Sequence, residues 1–180
     1  MSVTKTDRDI NSLTKTAQTA VKLFFQECHK AGIKIFITET YRSQARQDYL
    51  YEQGRTRSGK IVTWTKSSRH TSRLAWDIAA STLNGNKDIY NTAIIKKAGK
   101  IALKLNITWG GTWKNNIDYP HFEVQSNWVI PKGFSLDEEV LIPMSSNKPI
   151  EFIGKTITPP ISDTNKGDVI LKFTNNTTKD

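Results

Sequence analysis

Two histidines and two aspartates have the residue types and spacing to build a metal centre with a base beside it. His70 and Asp77 lie seven positions apart, and Asp118 precedes His121 by three. The chain has 3 histidines, so two of them fall in these clusters. Two imidazoles and one carboxylate can hold a zinc ion and leave one coordination position for water, as catalytic zinc sites do. Asp118 is then free to act as a base.

The spacing of His70 and Asp77 requires a bend between them. Positions seven apart on one helix lie about 10 Å apart along the axis, too far for bonds of about 2 Å to one ion. On one flat strand they point to opposite faces. We therefore predict a bend at residues 71–73. In residues 74–79, large apolar side chains alternate with small ones around Asp77, which predicts a strand with one face on a core and room for a metal and a substrate on the other.

Several motifs, in order along the chain, resemble those of a known peptidase family. They are ITETYRS at 37–43 followed by Gln47, YEQGRT at 51–56, SxHx6D at 68–77, WGG at 109–111 and DxPHF at 118–122. This set is similar to the zinc-dependent D-alanyl-D-alanine carboxypeptidases of the VanY type, and especially to their phage-lysin branch of L-alanyl-D-glutamate endopeptidases. The resemblance covers the chain before residue 125.

The resemblance implies a role for each matching residue. It places the zinc ligands at His70, Asp77 and His121, the catalytic carboxylate at Asp118, and a substrate-contacting arginine at Arg42. Further substrate contacts are expected from three other residues of these motifs, which are Ser68, Gln47 and Trp109. The implied function is that of a peptidoglycan hydrolase similar to a phage endolysin. Its zinc-activated water would cleave the bond between L-alanine and D-glutamate in the stem peptide.

Two positions depart from the family pattern. Arg73 stands where the family usually has glycine, three residues after the first histidine, and this leaves the shape of the bend open. Thr112 stands where an acidic residue is common. That charge would belong either to the substrate cleft or to the surface.

Alternatives remain at this stage. Asp118 could instead cap the turn at Tyr119 and Pro120, since aspartate often bonds nearby backbone at such bends. Arg42 could pair with Glu39 on a solvated edge, where ion pairs contribute little. For the whole protein, the alternatives are a D,D- or L,D-carboxypeptidase with the same metal site and a non-catalytic, zinc-containing wall-binding domain. Asp118 and Arg42 together speak against the last.

The remaining patterns predict an α+β fold with a small, mainly antiparallel sheet flanked by helices. The family resemblance implies that this fold is similar to that of hedgehog domains and D,D-peptidases. Residues 55–67 are basic and polar and form a candidate rim of the substrate cleft. The predicted elements are one or two helices within 10–31, helices at 43–54 and 90–105, and strands at 33–40, 61–64 and 74–79.

Charge and proline divide the chain near residue 124. The net charge is +9, and the first 124 residues hold twenty basic and ten acidic residues against six and seven in the remainder. We predict a catalytic domain at 1–124, a linker at 125–148 and a short extension at 149–180. Strand-like segments at 150–157 and 169–173 make the extension a candidate β element or part of a wall-binding module. The positive field favours encounters with polyanions such as wall teichoic acids.

The sequence also predicts where the protein is found and what it does not bind. No apolar stretch near the N-terminus has the length of a signal peptide, and no segment approaches a membrane span. We therefore expect a monomer held in the cytoplasm of the producing cell, without membrane insertion, that acts on the wall after release. We see no helix-turn-helix, zinc-finger or aromatic-platform motif, so nucleic acid is not an expected partner.

Overall fold

A computed structural model describes residues 2–154, which form an α+β fold. The predicted fold class is confirmed. The helices are α1 (Lys15–Lys30), α2 (Gln44–Glu52) and α3 (Thr92–Lys104). The strands are β1 (Ile35–Glu39), β2 (Ala75–Ala80), β3 (Thr108–Trp109), β4 (His121–Glu123), β5 (Glu139–Leu141) and β6 (Glu151–Ile153). Short 3-10 turns lie at Ile10–Ser12, Thr82–Asn84 and Gly110–Thr112.

Four strands form an antiparallel sheet in the order β1-β2-β4-β3. The register of the two central strands places Asp77 of β2 directly opposite His121 of β4. Residues opposite each other in such a pair have Cβ atoms about 4.5–5.5 Å apart. Backbone pairing therefore brings two candidate ligands together from positions 44 residues apart in the chain.

One face of the sheet packs against α1 and α3. The ring of Phe24 on α1 lies 4.9 Å from that of Phe122, and Phe122 stacks on Trp76 at 6.3 Å between centroids. All three are fully buried. Because side chains alternate across a strand, Asp77 and His121 point to the opposite face. The alternation predicted for residues 74–79 is confirmed, and the core fixes which face carries the site.

The helices begin at side chains that bond their first free backbone amides. Thr14 accepts from the amide of Ala17 at the start of α1, and Ser43 accepts from the amide of Arg46 at the start of α2. Such caps contribute typically about 1 kcal/mol. The predicted start of the second helix at Ser43 is confirmed. In the described residues, no helix has the length and apolarity needed to cross a bilayer.

Residues 125–154 pack on the first domain, which differs from the predicted linker. Val140 of β5 is buried in the core, and the Gln26 side chain of α1 donates to the carbonyl oxygen of Ser135 at 2.8 Å. The physical reason is a series of apolar side chains in this segment that pack against the core: Trp128, Ile130, Phe134, Leu136 and Ile142. β5 pairs with β6, so part of the predicted strand at 150–157 is present. Residues beyond 154, including the predicted strand at 169–173, lie outside the described part.

The strand predicted at 61–64 is absent. These residues follow an irregular path with Ile61, Val62 and Trp64 exposed. Side chains of the preceding helix region take the place of a strand partner. Gln47 donates to the carbonyl oxygen of Thr65 at 2.6 Å, and Arg55 donates to that of Thr63 at 3.2 Å.

Two irregular segments lie along the outer edge of β1. The amide of Thr40 donates to the carbonyl oxygen of Asp7 at 2.7 Å, and the amide of Ile37 donates to that of Pro143 at 2.9 Å. The edge of the sheet next to the site is therefore covered by chain from both ends of the described range.

Candidate metal centre

Three candidate ligand atoms meet on the open face of the sheet. His70 Nε2 lies 3.2 Å from Asp77 Oδ1 and 3.2 Å from His121 Nδ1. His121 Nδ1 lies 3.3 Å from Asp77 Oδ1. The atoms form a nearly equilateral triangle, and they come from the turn before β2, from β2 itself and from the first residue of β4.

This triangle fits a metal ion. In a tetrahedral site with bonds of about 2.0–2.1 Å, ligand atoms lie about 3.3–3.4 Å apart. The triangle accounts for three corners of such a tetrahedron and leaves the fourth open, the pattern of a catalytic metal site. In the described residues, this is the one group of three or more histidine, cysteine, aspartate or glutamate side chains close enough to hold an ion.

Each imidazole is held by its other nitrogen. His70 Nδ1 lies 2.6 Å from the carbonyl oxygen of Thr40, which can only accept, so Nδ1 carries the proton and Nε2 offers a lone pair. His121 Nε2 lies 2.9 Å from Glu123 Oε2, which leaves Nδ1 for the triangle. Partners of this kind fix the tautomer and orientation of metal-binding histidines.

Thr40 is held in turn by the N-terminal segment. Its amide and its hydroxyl both donate to the carbonyl oxygen of Asp7, at 2.7 and 3.2 Å, and the hydroxyl lies 3.0 Å from that of Asp9. The orientation of His70 therefore depends on residues 7–9 as well as on the sheet.

The bend after His70 forms with arginine in the place of glycine. Arg73 has φ of 60°, in the left-handed region where glycine is favoured. For other residues this conformation costs about 1–2 kcal/mol. Two contacts offset the cost: the guanidinium lies 3.8 Å from the ring centroid of Tyr41, and it donates to the carbonyl oxygen of Ser12 at 2.7 Å. The departure from the family pattern thus leaves the predicted bend in place.

Asp118 lies on the lining of the cleft, with its side chain open to solvent. Its amide donates to the carbonyl oxygen of Gly110 at 3.1 Å, and a Cβ at Gly110 would lie 2.4 Å from the carbonyl oxygen of Asp118. Only glycine fits at this approach. Within residues 2–154 the Asp118 carboxylate accepts no hydrogen bond from the protein, which speaks against the turn-capping alternative.

Arg42 pairs with Glu39, but it does so inside the site and not on a solvated edge. Its Nη2 lies 2.5 Å from Glu39 Oε2 and 3.5 Å from Asp77 Oδ2, and its Nη1 donates to Gln47 Oε1 at 2.8 Å. Glu39 also accepts from Arg46 at 2.7 Å. A guanidinium held on two sides is fixed in direction beside the metal cluster.

The charges of the cluster shift one another's pKa values. Burial raises the pKa of Asp77, but the two histidines outweigh it and hold that pKa well below its usual range. Burial lowers the pKa of His121, and hydrogen bonds to Asp77 and Glu123 raise it to about 9. Partial desolvation in the cleft and the negative charge of Asp77 raise the pKa of Asp118, which makes Asp118 a stronger base than a free aspartate.

The cluster lies in a cleft of about 1050 Å³ whose lining includes residues 61–65, as predicted for the rim. Ser68 also lines this cleft, and its hydroxyl accepts from the amide of His70 at 3.3 Å. Two predicted substrate contacts lie elsewhere. Gln47 is fully buried, and it holds Arg42 and the rim. Trp109 packs in the core, with its indole nitrogen donating to the carbonyl oxygen of Tyr119 at 2.8 Å.

Three residues of the site were not assigned a role from the sequence. Glu123 directly follows the DxPHF motif, and its position two residues after His121 on one strand could have placed it on the same face. Trp113, whose ring lies 5.2 Å from that of His121, follows the WGG motif directly. Thr40 acts through its backbone, for which the sequence carries no signal.

Comparisons with known proteins find several that are similar to this chain. Residues 62–124 match a family model described as D-alanyl-D-alanine carboxypeptidase. The chain is 40% identical over 106 residues to the peptidoglycan L-alanyl-D-glutamate endopeptidase CwlK of Bacillus subtilis (strain 168). That match covers 53% of this chain and 64% of the relative, so the chain spans less than two thirds of the relative's length.

A solved structure is also similar. It is the Serratia marcescens L-Ala D-Glu endopeptidase ChiX, with 20% identity, a TM-score of 0.48, and coverage of 69% of this chain and 89% of that one. The family match itself spans His70, Asp77, Asp118 and His121. Residues 62–124 are therefore similar to the D-alanyl-D-alanine carboxypeptidase family, and this stretch contains all four residues of the candidate site.

Proposed function

We propose that this protein is a zinc peptidase that cleaves the bond between L-alanine and D-glutamate in the stem peptide of peptidoglycan. One observation carries the proposal: a metal-sized triangle of His70, Asp77 and His121 lies in the same cleft as the unpaired carboxylate of Asp118. The bond assignment is supported by the 40% identity to a peptidoglycan L-alanyl-D-glutamate endopeptidase.

The donor set favours zinc among the divalent metals, since two imidazoles and one carboxylate are typical of catalytic zinc. When bound, zinc acts as a Lewis acid that polarises an amide carbonyl and makes a water molecule more acidic. Asp118 accepts the proton of the attacking water and passes it to the leaving amine. Its raised pKa suits this task, because a general base works best when its pKa approaches the working pH.

Arg42 binds the substrate beside the metal cluster. Glu39 and Gln47 hold its two terminal nitrogens, so the guanidinium keeps one direction. It can then donate its remaining N–H groups to a substrate carboxylate or to the oxygen that becomes negative as the amide is attacked. Preorganised donors of this kind cost little reorganisation during the reaction.

The product of wall digestion decides which bond is cut. Purified peptidoglycan should yield new C-terminal L-alanine and new N-terminal D-glutamate or its amide, as identified by mass spectrometry of the muropeptides. The description of the matching family model favours a carboxypeptidase as the second candidate. Release of free D-alanine as the main product would support that alternative and refute the endopeptidase.

Asp118→Asn separates chemistry from metal binding. It keeps the size of the side chain and removes its basicity, so it should retain bound zinc and the fold while losing at least about 100-fold in rate. His70→Ala should lose both zinc and activity. A zinc-loaded Asp118→Asn variant with near-normal turnover would remove Asp118 from the mechanism.

The wider biological role is part of the same proposal. The motif set supports a bacteriolytic, phage endolysin-like enzyme that is held in the cytoplasm of the producing cell and reaches the wall after release. The positive charge of the first 124 residues supports an added attraction to anionic wall polymers. Expression inside bacteria should leave cells intact until their inner membrane is permeabilised. Lysis without permeabilisation would contradict this role.

A further inference from the structure

The rim of the cleft carries an exposed apolar patch at Ile61, Val62 and Trp64. More than half of the surface of Val62 and Trp64 is open to solvent, at 57% and 59%. All three residues line the same cleft as the metal cluster. Contiguous exposed apolar side chains at the edge of a cleft commonly mark a place where a ligand packs.

The patch is held in place by side chains of α2 and of the turn that follows it. Gln47 donates to the hydroxyl of Thr63 and to the carbonyl oxygen of Thr65, at 3.2 and 2.6 Å. The guanidinium of Arg55 lies 5.7 Å from the ring centroid of Trp64 and donates to the carbonyl oxygen of Thr63. Trp64 is therefore exposed on a fixed piece of backbone, with Arg55 packed near its indole.

The same glutamine connects the patch to the reaction site. Gln47 accepts from Arg42 at 2.8 Å, and Arg42 lies 3.5 Å from Asp77. A single buried side chain thus sets the distance between the apolar rim and the arginine beside the metal cluster. A ligand on the rim would lie in the same cleft as Arg42 and the metal cluster.

The chemistry of the substrate indicates what would pack there. This step rests on the proposed function. In peptidoglycan, the amino group of L-alanine is joined by an amide to the lactyl group of N-acetylmuramic acid. One residue spans about 3.5 Å, so only L-alanine and the lactyl group separate the scissile bond from a sugar ring. A cleft that takes this bond must accommodate the sugar at its edge.

We infer that Trp64, with Val62, forms a saccharide subsite that binds the glycan strand on the L-alanine side of the scissile bond. The apolar C–H face of a pyranose ring packs on an indole, while the ring hydroxyls stay in water. The enzyme is then selective for stem peptides that are still attached to glycan, and free stem peptides are poor substrates.

Two matched substrates test this selectivity. One is the stem peptide attached to the disaccharide N-acetylglucosaminyl-N-acetylmuramic acid. The other is the same peptide with an acetyl group on L-alanine, which keeps the amide and removes the sugar. The measured quantity is kcat/KM for the L-alanine to D-glutamate bond in the zinc-loaded full chain. The wild type should prefer the sugar-linked substrate about tenfold or more.

Trp64→Ala should lower kcat/KM about tenfold for the sugar-linked substrate and leave the acetylated peptide within about twofold. Trp64→Phe should retain most of the preference, because a flat apolar ring remains. Tyr90→Ala is the matched control: Tyr90 is an aromatic residue on the same cleft lining that is 61% exposed. An equal loss on both substrates, a wild type without preference, or a selective loss in Tyr90→Ala instead would each overturn the assignment.

A binding measurement separates this inference from the proposed function. The free disaccharide should shift the indole N–H resonance of Trp64, assigned by its absence in Trp64→Phe, in the NMR spectrum of the full chain. If the wild type cleaves neither substrate at this bond, the proposed function fails, and the shift still supports a saccharide site. If the disaccharide leaves this resonance unchanged at millimolar concentration, the subsite is refuted even if both substrates are cleaved.

Discussion

Replacing Glu123 should weaken metal binding without touching a ligand. Its carboxylate holds His121 Nε2 at 2.9 Å and so directs Nδ1 to the triangle. A hydrogen bond to a charged group contributes about 1.5–3 kcal/mol, and about 1.4 kcal/mol is a factor of ten in affinity. We expect Glu123→Ala to weaken zinc binding about 10–100-fold, as is typical for such partners. Glu123→Gln should lose about tenfold, because its amide oxygen can still accept.

The size of this effect should depend on pH, with a sign set by His121. Glu123 is one of two carboxylates whose hydrogen bonds raise the pKa of His121 to about 9, so protons compete with the metal below that pH. Removing Glu123 lowers this pKa and relieves part of the competition. The loss of zinc affinity should therefore be largest near pH 9 and smaller near pH 6.5.

Competition with a chromophoric chelator at these two pH values measures the affinities. Glu139→Gln is the matched control, because it removes an exposed carboxylate that pairs with Lys22 and does not line the cleft. Circular dichroism checks that each variant is folded. A Glu123→Ala variant that binds zinc within about twofold of the wild type at pH 9 would refute the reasoning. A loss that grows as the pH falls would refute the assigned sign.

Three further predictions concern the proton on the cluster, the bend and the C-terminal segment. Zinc uptake near pH 7 should release about one proton, because the pKa of His121 near 9 leaves its ring protonated before the metal binds. Calorimetry in buffers of different ionisation enthalpy measures the number of protons released. Zinc uptake without proton release would contradict this prediction. Arg73→Gly should have a free energy of unfolding about 1 kcal/mol higher than that of Arg73→Ala in urea denaturation, because both variants lose the same contacts and only glycine relieves the φ of 60°. Equal free energies of unfolding would show that the backbone is unstrained. A chain ending at residue 134 should be less stable than one ending at residue 154 by at least about 2 kcal/mol, because it loses buried Val140 and the β5–β6 pair. Equal urea midpoints would show that this segment adds no stability, as expected of the predicted linker.

The metal cluster could be predicted from residue types, but its geometry could not. The seven-residue spacing of His70 and Asp77 required a bend, and the bend is there. That Asp77 faces His121 depends on the register of β2 and β4. A shift of one residue would turn every side chain of a strand to the other face. Register is set by the core packing of residues such as Trp76 and Phe122, which no local pattern reveals.

Membership of a motif indicated which residues matter but not how they act. Gln47 and Trp109 both belong to motifs of the family, and both were expected to touch substrate. The structure buries Gln47 under the rim and places Trp109 against α3, where a Cβ at Gly99 would lie 2.4 Å from its ring. Glutamine and tryptophan serve equally well as ligand contacts and as interior supports, so their type alone does not decide.

Segments without regular structure were the hardest to predict. Residues 61–64 have the composition of a strand, yet tertiary hydrogen bonds from Gln47 and Arg55 hold them in another path. Residues 125–148 are rich in proline and turn residues, which predicted a linker. Their apolar side chains, including Phe134 and Leu136, nevertheless cover the core beside α1. Sparse apolar residues can pack as well as periodic ones.

The covered edge of β1 has a consequence for how the protein behaves at high concentration. β1 is an outer strand with the sequence IFITE, and an unpaired edge of this kind can template strand addition by another chain. The amides of Ile37 in β1 and of Thr40, the residue after this strand, already donate to the carbonyl oxygens of Pro143 and Asp7. A chain lacking residues 2–9 loses the cover at Thr40 and keeps the bond at Ile37, so it should self-associate through the C-terminal end of β1. Light scattering should detect the oligomers before circular dichroism detects any loss of helix.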